Sequence, residues 1–145
     1  MARYTHSSDN KGRIFIPAKL RESLGGSVYV TKALDAGYLA VYTEEQFAMV
    51  KAQIYQLPGT DPVARRFRRE IIGEAIHCNL DSQGRISVSE ELWDLIYVKV
   101  GEEVYITDMG ETLEICSKAF YDKQRADEVP ITELDLSAYD VKGIV

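Results

Sequence analysis

The sequence predicts an α+β fold in which two copies of one β-rich unit intertwine into a pseudo-dimer, with helices at the periphery. The first observation behind this prediction is a repeated motif, because SSDNKGRIFI at residues 7–16 returns as NLDSQGRISV at residues 79–88. The second is size, because a unit of about 50 residues buries too little surface to fold alone. Two related units within one chain of 145 residues can instead share a single core.

The repeat extends well beyond the shared Asp-x-x-Gly-Arg-Ile, which recurs at an offset of 72 positions. Residues 28–31 return as residues 104–107, and residues 38–43 align with residues 112–117, so both changes of offset fall where loops are expected. We therefore predict four parts: a first unit at residues 1–47, a helical spacer at residues 48–75, a second unit at residues 76–121 and an acidic tail at residues 122–145.

Each unit is predicted to contain the same elements in the same order. A strand leads into a tight turn at Asp-x-x-Gly and a second, alternating strand follows, after which a short helix, a hairpin and a final short helix complete the unit. The first short helix, at residues 17–24, ends at Gly25 and Gly26, where a glycine C-cap is expected. Its counterpart at residues 89–96 begins at Ser89, a typical N-cap residue.

The two tight turns carry the motif residues. Asp9 and Gly12 begin and end the turn segment of the first unit, and Asp81 and Gly84 do so in the second. Glycine adopts positive φ without steric cost, so the backbone can reverse sharply at both turns.

The spacer is predicted to form two helices. Apolar residues keep a helical period through residues 44–56, and Pro58 and Gly59 interrupt it. Asp61 followed by Pro62 then predicts a new helix start. Four arginines surround the apolar stripe of this second helix, and we favour ion pairs or exposure to solvent over phosphate contact for them: Arg65, Arg66, Arg68 and Arg69.

The charge is unevenly distributed along the chain. The net charge of −6 argues weakly against a nucleic-acid partner. Residues 1–77, however, carry 11 Lys and Arg against 8 Asp and Glu, whereas residues 78–145 carry 6 against 15. Such asymmetry is typical of a localised electrostatic function, although a solvated face with an acidic tail would produce the same numbers.

Other classes of function find little support. No apolar run approaches the roughly 18 residues that span a bilayer, and the N-terminus lacks the apolar core of a signal peptide, so we expect a cytoplasmic protein. Cys78 and Cys116 fit a reducing compartment, and with His6 and His77 they match no usual zinc spacing. Cys78 directly follows His77, but we favour a buried strand cysteine over a catalytic pair there, and nothing else resembles a nucleophile with a base, so we expect neither an enzyme nor a metal or other cofactor.

With these motifs in hand, the chain resembles the MraZ family of bacterial transcriptional regulators, which are built from two swapped-hairpin, SpoVT-AbrB-like β-barrel units. The similarity extends to about residue 125, so most of the acidic tail lies outside it. The matching residues are Asp9-x-Lys11-Gly12-Arg13-x-x-Ile16-Pro17-Ala18-Lys19-x-Arg21-Glu22 and Asp81-x-Gln83-Gly84-Arg85, with Asp61-x-x-Ala64-Arg65-x-Phe67-x-Arg69 and Ala75 between them.

The resemblance implies sequence-specific binding to double-stranded promoter DNA, usually as a repressor of the division and cell-wall gene cluster. It also implies a homo-oligomeric ring that suits direct repeats, association with the nucleoid, and neither a membrane nor a small-molecule substrate. Carried onto this sequence, it places DNA contacts first on Lys11 and Arg13 and then on Arg85, the equivalent residue of the second unit. Arg3, in the same basic N-terminal segment, completes the predicted DNA-binding set.

Three alternatives stay open. The aspartate and arginine of each motif can form a structural pair that closes the turn, an interpretation that is stronger for Arg85, with its acidic flank, than for Arg13. AbrB-like units also occur in antitoxins, and apolar residues at positions 129–136 of the acidic tail could bind a partner protein. A purely structural ring would leave Lys11 and Arg13 dispensable.

Overall fold

The computed structural model describes residues 3–143. Strands and helices alternate along the chain in nearly the same order in its two halves. The strands are β1 (Arg3–Ser7), β2 (Arg13–Phe15), β3 (Ser27–Lys32), β4 (Tyr38–Thr43), β5 (Ile76–Asn79), β6 (Arg85–Ser87), β7 (Glu103–Asp108) and β8 (Leu113–Ser117). The α-helices are α1 (Ala18–Leu24), α2 (Glu44–Tyr55), α3 (Pro62–Phe67), α4 (Glu90–Leu95) and α5 (Lys118–Asp127).

The strands form one six-stranded sheet and one two-stranded ribbon, both antiparallel. The sheet has the order β1-β7-β8-β4-β3-β5, and the ribbon pairs β2 with β6. If each strand of the first half is exchanged for its counterpart in the second, the order of the sheet reads the same from the other edge. Strand β1 pairs with β7, β4 with β8 and β3 with β5, so every one of these pairs joins the two halves. The predicted α+β pseudo-dimer of intertwined repeats is confirmed.

The sheet is open, which corrects the β-barrel form that the family resemblance implies for the units. Strands β1 and β5 form its two edges, and the structure records no pairing between them in residues 3–143. Because both halves contribute strands to the same sheet, the division at residues 1–47, 48–75, 76–121 and 122–145 stays a prediction about the repeat.

The core lies between the sheet, the ribbon and the helices α1 and α4. Ile14 and Ile86 face each other across the ribbon, and both are fully buried, as are Val28 and Val104 at equivalent positions of the sheet. Fully burying one such side chain contributes about 1.5–3 kcal/mol. Since the two halves supply equivalent members of one cluster, neither half could keep this core without the other.

The helix ends agree with the sequence. Gly25 follows α1 with φ of 75°, and the Ser89 hydroxyl accepts a hydrogen bond from the Leu92 amide at the start of α4. In the spacer, the Asp61 carboxylate caps α3 by accepting from the Val63 amide at 2.9 Å. The sequence did not predict that α3 would continue as a π-helical turn over Arg68–Gly73.

Two of the spacer arginines stabilise the loop between α2 and α3. Arg68 donates to the carbonyl oxygens of Leu57 and Tyr55 at 2.9 and 3.2 Å, and Arg65 donates to the Gly59 carbonyl at 3.2 Å. These bonds supply partners for carbonyl groups at and just beyond the end of α2, where the helix can no longer do so. They favour a structural role over phosphate contact for Arg65 and Arg68.

No helix in the described part of the chain combines the length and the apolarity that crossing a membrane requires.

Candidate nucleic-acid interface

The turn between β1 and β2 is closed by the side chain of Asp9. One carboxylate oxygen accepts from the backbone amides of Lys11 and Arg13, each at 2.9 Å, and the other accepts from Nε of Arg13 at 2.7 Å. Gly12 completes the turn with φ of 76°, a conformation that favours glycine. One aspartate therefore fixes both the backbone of the turn and the direction of the arginine.

The turn between β5 and β6 repeats this arrangement atom for atom. Asp81 accepts from the amides of Gln83 and Arg85 at 2.9 Å and from Nε of Arg85 at 2.8 Å. Gly84 has φ of 78°. The repeated Asp-x-x-Gly-Arg thus specifies the same turn twice, with lysine before the glycine in the first copy and glutamine in the second.

These contacts hold both aspartates in the ionised form. Partial burial alone would raise the pKa of Asp9, but the amides of Arg13 and Lys11 and the Arg13 guanidinium outweigh it and lower this pKa from 3.8 to about 2. The pKa of Asp81 is also lowered, chiefly by the hydrogen bond from the Arg85 amide. Near neutral pH, each turn therefore contains an ionised aspartate in contact with its arginine.

Replacing Asp9 with Asn is expected to lower the free energy of unfolding near neutral pH, and this loss should shrink under acid conditions. Because the pKa of Asp9 falls on folding, its ionised form stabilises the fold above pH 3.8, and that contribution is lost as the pH drops towards about 2. Thermal unfolding of wild type and Asp9→Asn across that range measures the difference. A difference that is constant with pH would contradict the assignment.

The two arginines lie on one face of the β2–β6 ribbon. Arg13 stands opposite Ser87 and Arg85 opposite Phe15, while the Ile14–Ile86 pair between them faces the core. Opposed residues of an antiparallel pair share a face, so four side chains point away from the core together. The Arg13 and Arg85 side chains are 29% and 17% exposed, which makes Arg13 the more accessible of the two.

The aspartate contact leaves part of each guanidinium available. Asp9 and Asp81 engage Nε, and among residues 3–143 the terminal nitrogens of Arg13 have no hydrogen-bond partner. Nη1 of Arg85 lies 3.8 Å from the Asp9 carboxylate, a second and longer ion pair. The structural pair and the DNA contact are therefore compatible, because the carboxylate engages Nε and leaves the terminal nitrogens of Arg13 without a hydrogen bond among the described residues.

Lys11 and Arg3 lie in different surroundings. Lys11 is exposed at the tip of the first turn, next to Arg13. Arg3 is at the opposite end of β1 from that turn, with its guanidinium 4.2 Å from the ring centroid of Tyr105 and 5.0 Å from that of Tyr121. The structure therefore brings Arg13 and Arg85 to the same Asp9 carboxylate, places Lys11 on the turn before Arg13 and leaves Arg3 apart. DNA binding by all four residues stays a prediction.

Two contacts that support the turns were not predicted from the sequence. Trp93 on α4 donates from its indole nitrogen to the Gly12 carbonyl at 3.0 Å, so the second half packs over the turn of the first. Arg21 on α1 lies in the equivalent place over Gly84 and donates to the Ile16 carbonyl at 2.7 Å. Arg21 and Trp93 are 72 positions apart, the offset of the motif, so the two halves place different residue types at this equivalent position.

Other chemistry is not assembled at this face. Cys78 and Cys116 are both buried, and burial raises the pKa of their thiols to about 11 and about 12. The Nε2 atom of His77 lies 2.8 Å from a carboxylate oxygen of Glu44. Between residues 3 and 143, no three His, Cys, Asp or Glu side chains are grouped so that they could hold a metal ion.

Comparison with known proteins agrees with the motif. A family model described as "MraZ protein, putative antitoxin-like" matches residues 1–70. The chain is 38% identical over 133 residues to the transcriptional regulator MraZ of Heliobacterium modesticaldum, an alignment that covers 92% of this chain and 91% of that protein. It is 37% identical over 125 residues to the transcriptional regulator MraZ of Alkaliphilus oremlandii, covering 86% of this chain and 85% of that one.

Among solved structures, the solution structure of PHS018 from Pyrococcus horikoshii matches with a TM-score of 0.33 and 19% identity, over 80% of this chain and 87% of that one. The two MraZ proteins named above align with this chain over 85% and 91% of their own length. The resemblance inferred from the repeated turns is thereby confirmed, and the chain belongs to the MraZ family of transcriptional regulators.

Proposed function

We propose that this protein regulates transcription by binding promoter DNA, with the outward face of the β2–β6 ribbon as its reading surface. The observation that carries the proposal is the pair of aspartate-braced arginines on that face, with the exposed Lys11 on the turn that precedes Arg13. The major groove of B-DNA admits a two-stranded β-ribbon, and the arginine fork fits O6 and N7 of guanine.

Bracing favours recognition for an energetic reason. A free arginine side chain loses rotamer freedom when it binds, whereas Arg13 is already held through Nε by Asp9 at 2.7 Å. The ribbon behind it is fixed by the fully buried Ile14 and Ile86. The DNA contact would therefore form on a pre-organised surface, and Lys11 would add attraction to phosphate without sequence information.

We extend the proposal to a ring of subunits that binds direct repeats. One bidentate contact discriminates by only about 1–3 kcal/mol, so a single ribbon cannot select a promoter. Several ribbons in one assembly convert later contacts into intramolecular ones. An open groove of about 650 Å³ between α2, α3 and the β3–β4 hairpin, with exposed Leu34 and Leu57 at its edge, offers apolar surface for a second copy.

On this proposal the protein acts at the nucleoid as a repressor of the division and cell-wall gene cluster, as the family resemblance implies. Interaction with a protein through the tail is the second candidate function. The observation that favours it is a set of exposed apolar side chains beyond α5: Val129, Ile131, Leu134, Leu136, Tyr139 and Val141.

Binding to the DNA upstream of its own gene is expected to weaken steeply with salt and to be tighter for repeated sites than for one. Each neutralised phosphate contributes a slope of about −0.9 in log affinity against log salt concentration. Fluorescence anisotropy with duplexes of one repeat, several repeats and scrambled sequence measures both effects. Equal affinity for one and several repeats would contradict the ring, and equal affinity for scrambled DNA would contradict sequence reading.

A further inference from the structure

Phe15 is an aromatic side chain on the surface assigned to DNA. It lies at the end of β2, two positions after Arg13, and stands directly opposite Arg85 on β6. Its side chain is 40% exposed although its neighbours Ile14 and Ile16 are fully buried. The guanidinium carbon of Arg85 lies 5.7 Å from the centre of its ring. The phenyl ring therefore shares the outward face with the two braced arginines.

The fold does not require a phenyl ring at this position. The equivalent residue of the second half is Ser87, 72 positions later, and it stands opposite Arg13 as Phe15 stands opposite Arg85. Strand β6, which has serine at this place, buries Ile86 as completely as β2 buries Ile14, so burial of the ribbon does not depend on a phenyl ring here. What distinguishes Phe15 from Ser87 is the chemistry that each presents outward.

We propose that Phe15 is a DNA-reading residue whose ring contacts the 5-methyl group of a thymine in the major groove, next to the base contacted by an arginine. This inference rests on the proposed function and deepens it. The thymine methyl is the apolar group on the major-groove edge of the base pairs, and phenylalanine is among the side chains that suit it. Arg85, whose guanidinium carbon lies 5.7 Å from the ring centre, holds a donor fork beside that apolar position.

The proposal also gives the reading surface a direction. Two identical arginines related by a pseudo-two-fold axis would present nearly the same surface in both orientations on DNA. Lys11 against Gln83 already distinguishes the two turns, and phenylalanine on β2 against serine on β6 extends the difference to the ribbon face, because one half presents an apolar ring and the other a hydroxyl. Each subunit of an assembly would then bind in one orientation, as direct repeats require and inverted repeats do not.

The test combines Phe15→Ser, which copies the residue of the second half, with replacement of single thymines by uracil in the shortest upstream duplex that wild type binds. Uracil lacks only the methyl group. For wild type, at least one such replacement should weaken binding about fourfold, the effect of one buried methyl group, and more if several subunits make the contact. Phe15→Ser should bind the all-thymine duplex more weakly by a similar factor and be insensitive to that same uracil.

Two further variants make the result specific. Phe15→Leu, which keeps an apolar side chain, should retain sensitivity to the uracil. Met109→Ser removes a side chain that is 53% exposed in the β7–β8 hairpin, outside the ribbon, and should bind as wild type does. Unchanged oligomer size and melting temperature of Phe15→Ser establish that the variant is folded.

Each failure has a separate signature. The inference is overturned if no uracil replacement affects wild type, or if Phe15→Ser stays as sensitive to it as wild type. The proposed function fails instead if wild type does not prefer the upstream duplex to a scrambled one, whatever Phe15 does.

Discussion

Arg13→Ala is expected to abolish preference for the promoter while leaving the protein folded and assembled. Loss of one bidentate contact weakens a single site by roughly 5- to 150-fold, and an assembly that engages several repeats loses the contact at each of them. The fold should tolerate the change, because the Arg13–Asp9 ion pair is about one-third exposed and such pairs contribute little stability. Binding to upstream and scrambled duplexes, with oligomer size and melting temperature alongside, measures both parts.

Three matched variants separate recognition from charge. Arg13→Lys keeps the charge but loses the fork, so it should keep most of the salt dependence and lose the preference for sequence. Arg125→Ala removes one exposed arginine from the last turn of α5, away from the ribbon, and should bind almost as wild type does. Arg85→Ala should fall between Arg13→Ala and Arg125→Ala, since Arg85 is less exposed than Arg13. If Arg13→Ala binds no more weakly than Arg125→Ala, Arg13 only closes its turn.

The two turns of this surface could be predicted from the sequence because the repeated motif consists of residues with strong local conformational preferences. Asp9 and Gly12 specify a tight turn by themselves, and the same spacing at Asp81 and Gly84 therefore predicts the same turn again. The small size of one unit then predicted a core shared by both units. The pairing of β2 with β6 joins the two halves in this way. Local chemistry and the limit on small cores were sufficient for that much.

The orientation of the arginines could not be predicted in this way. Sequence spacing leaves open whether Asp9 neutralises Arg13 or orients it, since the answer depends on which nitrogen of the guanidinium the carboxylate meets. The outward position of Phe15 could have been found, because alternation along β2 places it on the same face as Arg13. The contact of Trp93 with the opposite turn depends on how α4 packs, and no single-repeat pattern contains that information.

Gly12→Ala is expected to cause the second large effect, a loss of about 2–4 kcal/mol in the free energy of unfolding. The backbone at Gly12 has φ of 76°, where an L side chain costs about 1–2 kcal/mol. A Cβ at that place would also lie 2.9 Å from the Val88 carbonyl oxygen and 3.3 Å from the Trp93 indole nitrogen. Relief of that clash would disturb the hydrogen bonds that the Gly12 carbonyl accepts from the Val88 amide and from Trp93.

Two other glycines separate these contributions when melting temperatures are compared at one protein concentration. Gly101 has φ of 83°, and apart from Gly101 and its two neighbours in sequence no described residue has an atom within 4 Å of the place that a Cβ would take, so Gly101→Ala should show the backbone cost alone. At Gly84 the obstructing atoms belong to the flexible Arg21 side chain, which can move, so Gly84→Ala should lie between the other two. The extra loss of stability in Gly12→Ala, compared with Gly101→Ala, then measures how strongly contacts from the second half stabilise the turn between β1 and β2. If the two variants are equally destabilised, that contact between the halves contributes nothing measurable, and the turn is held by Asp9 alone.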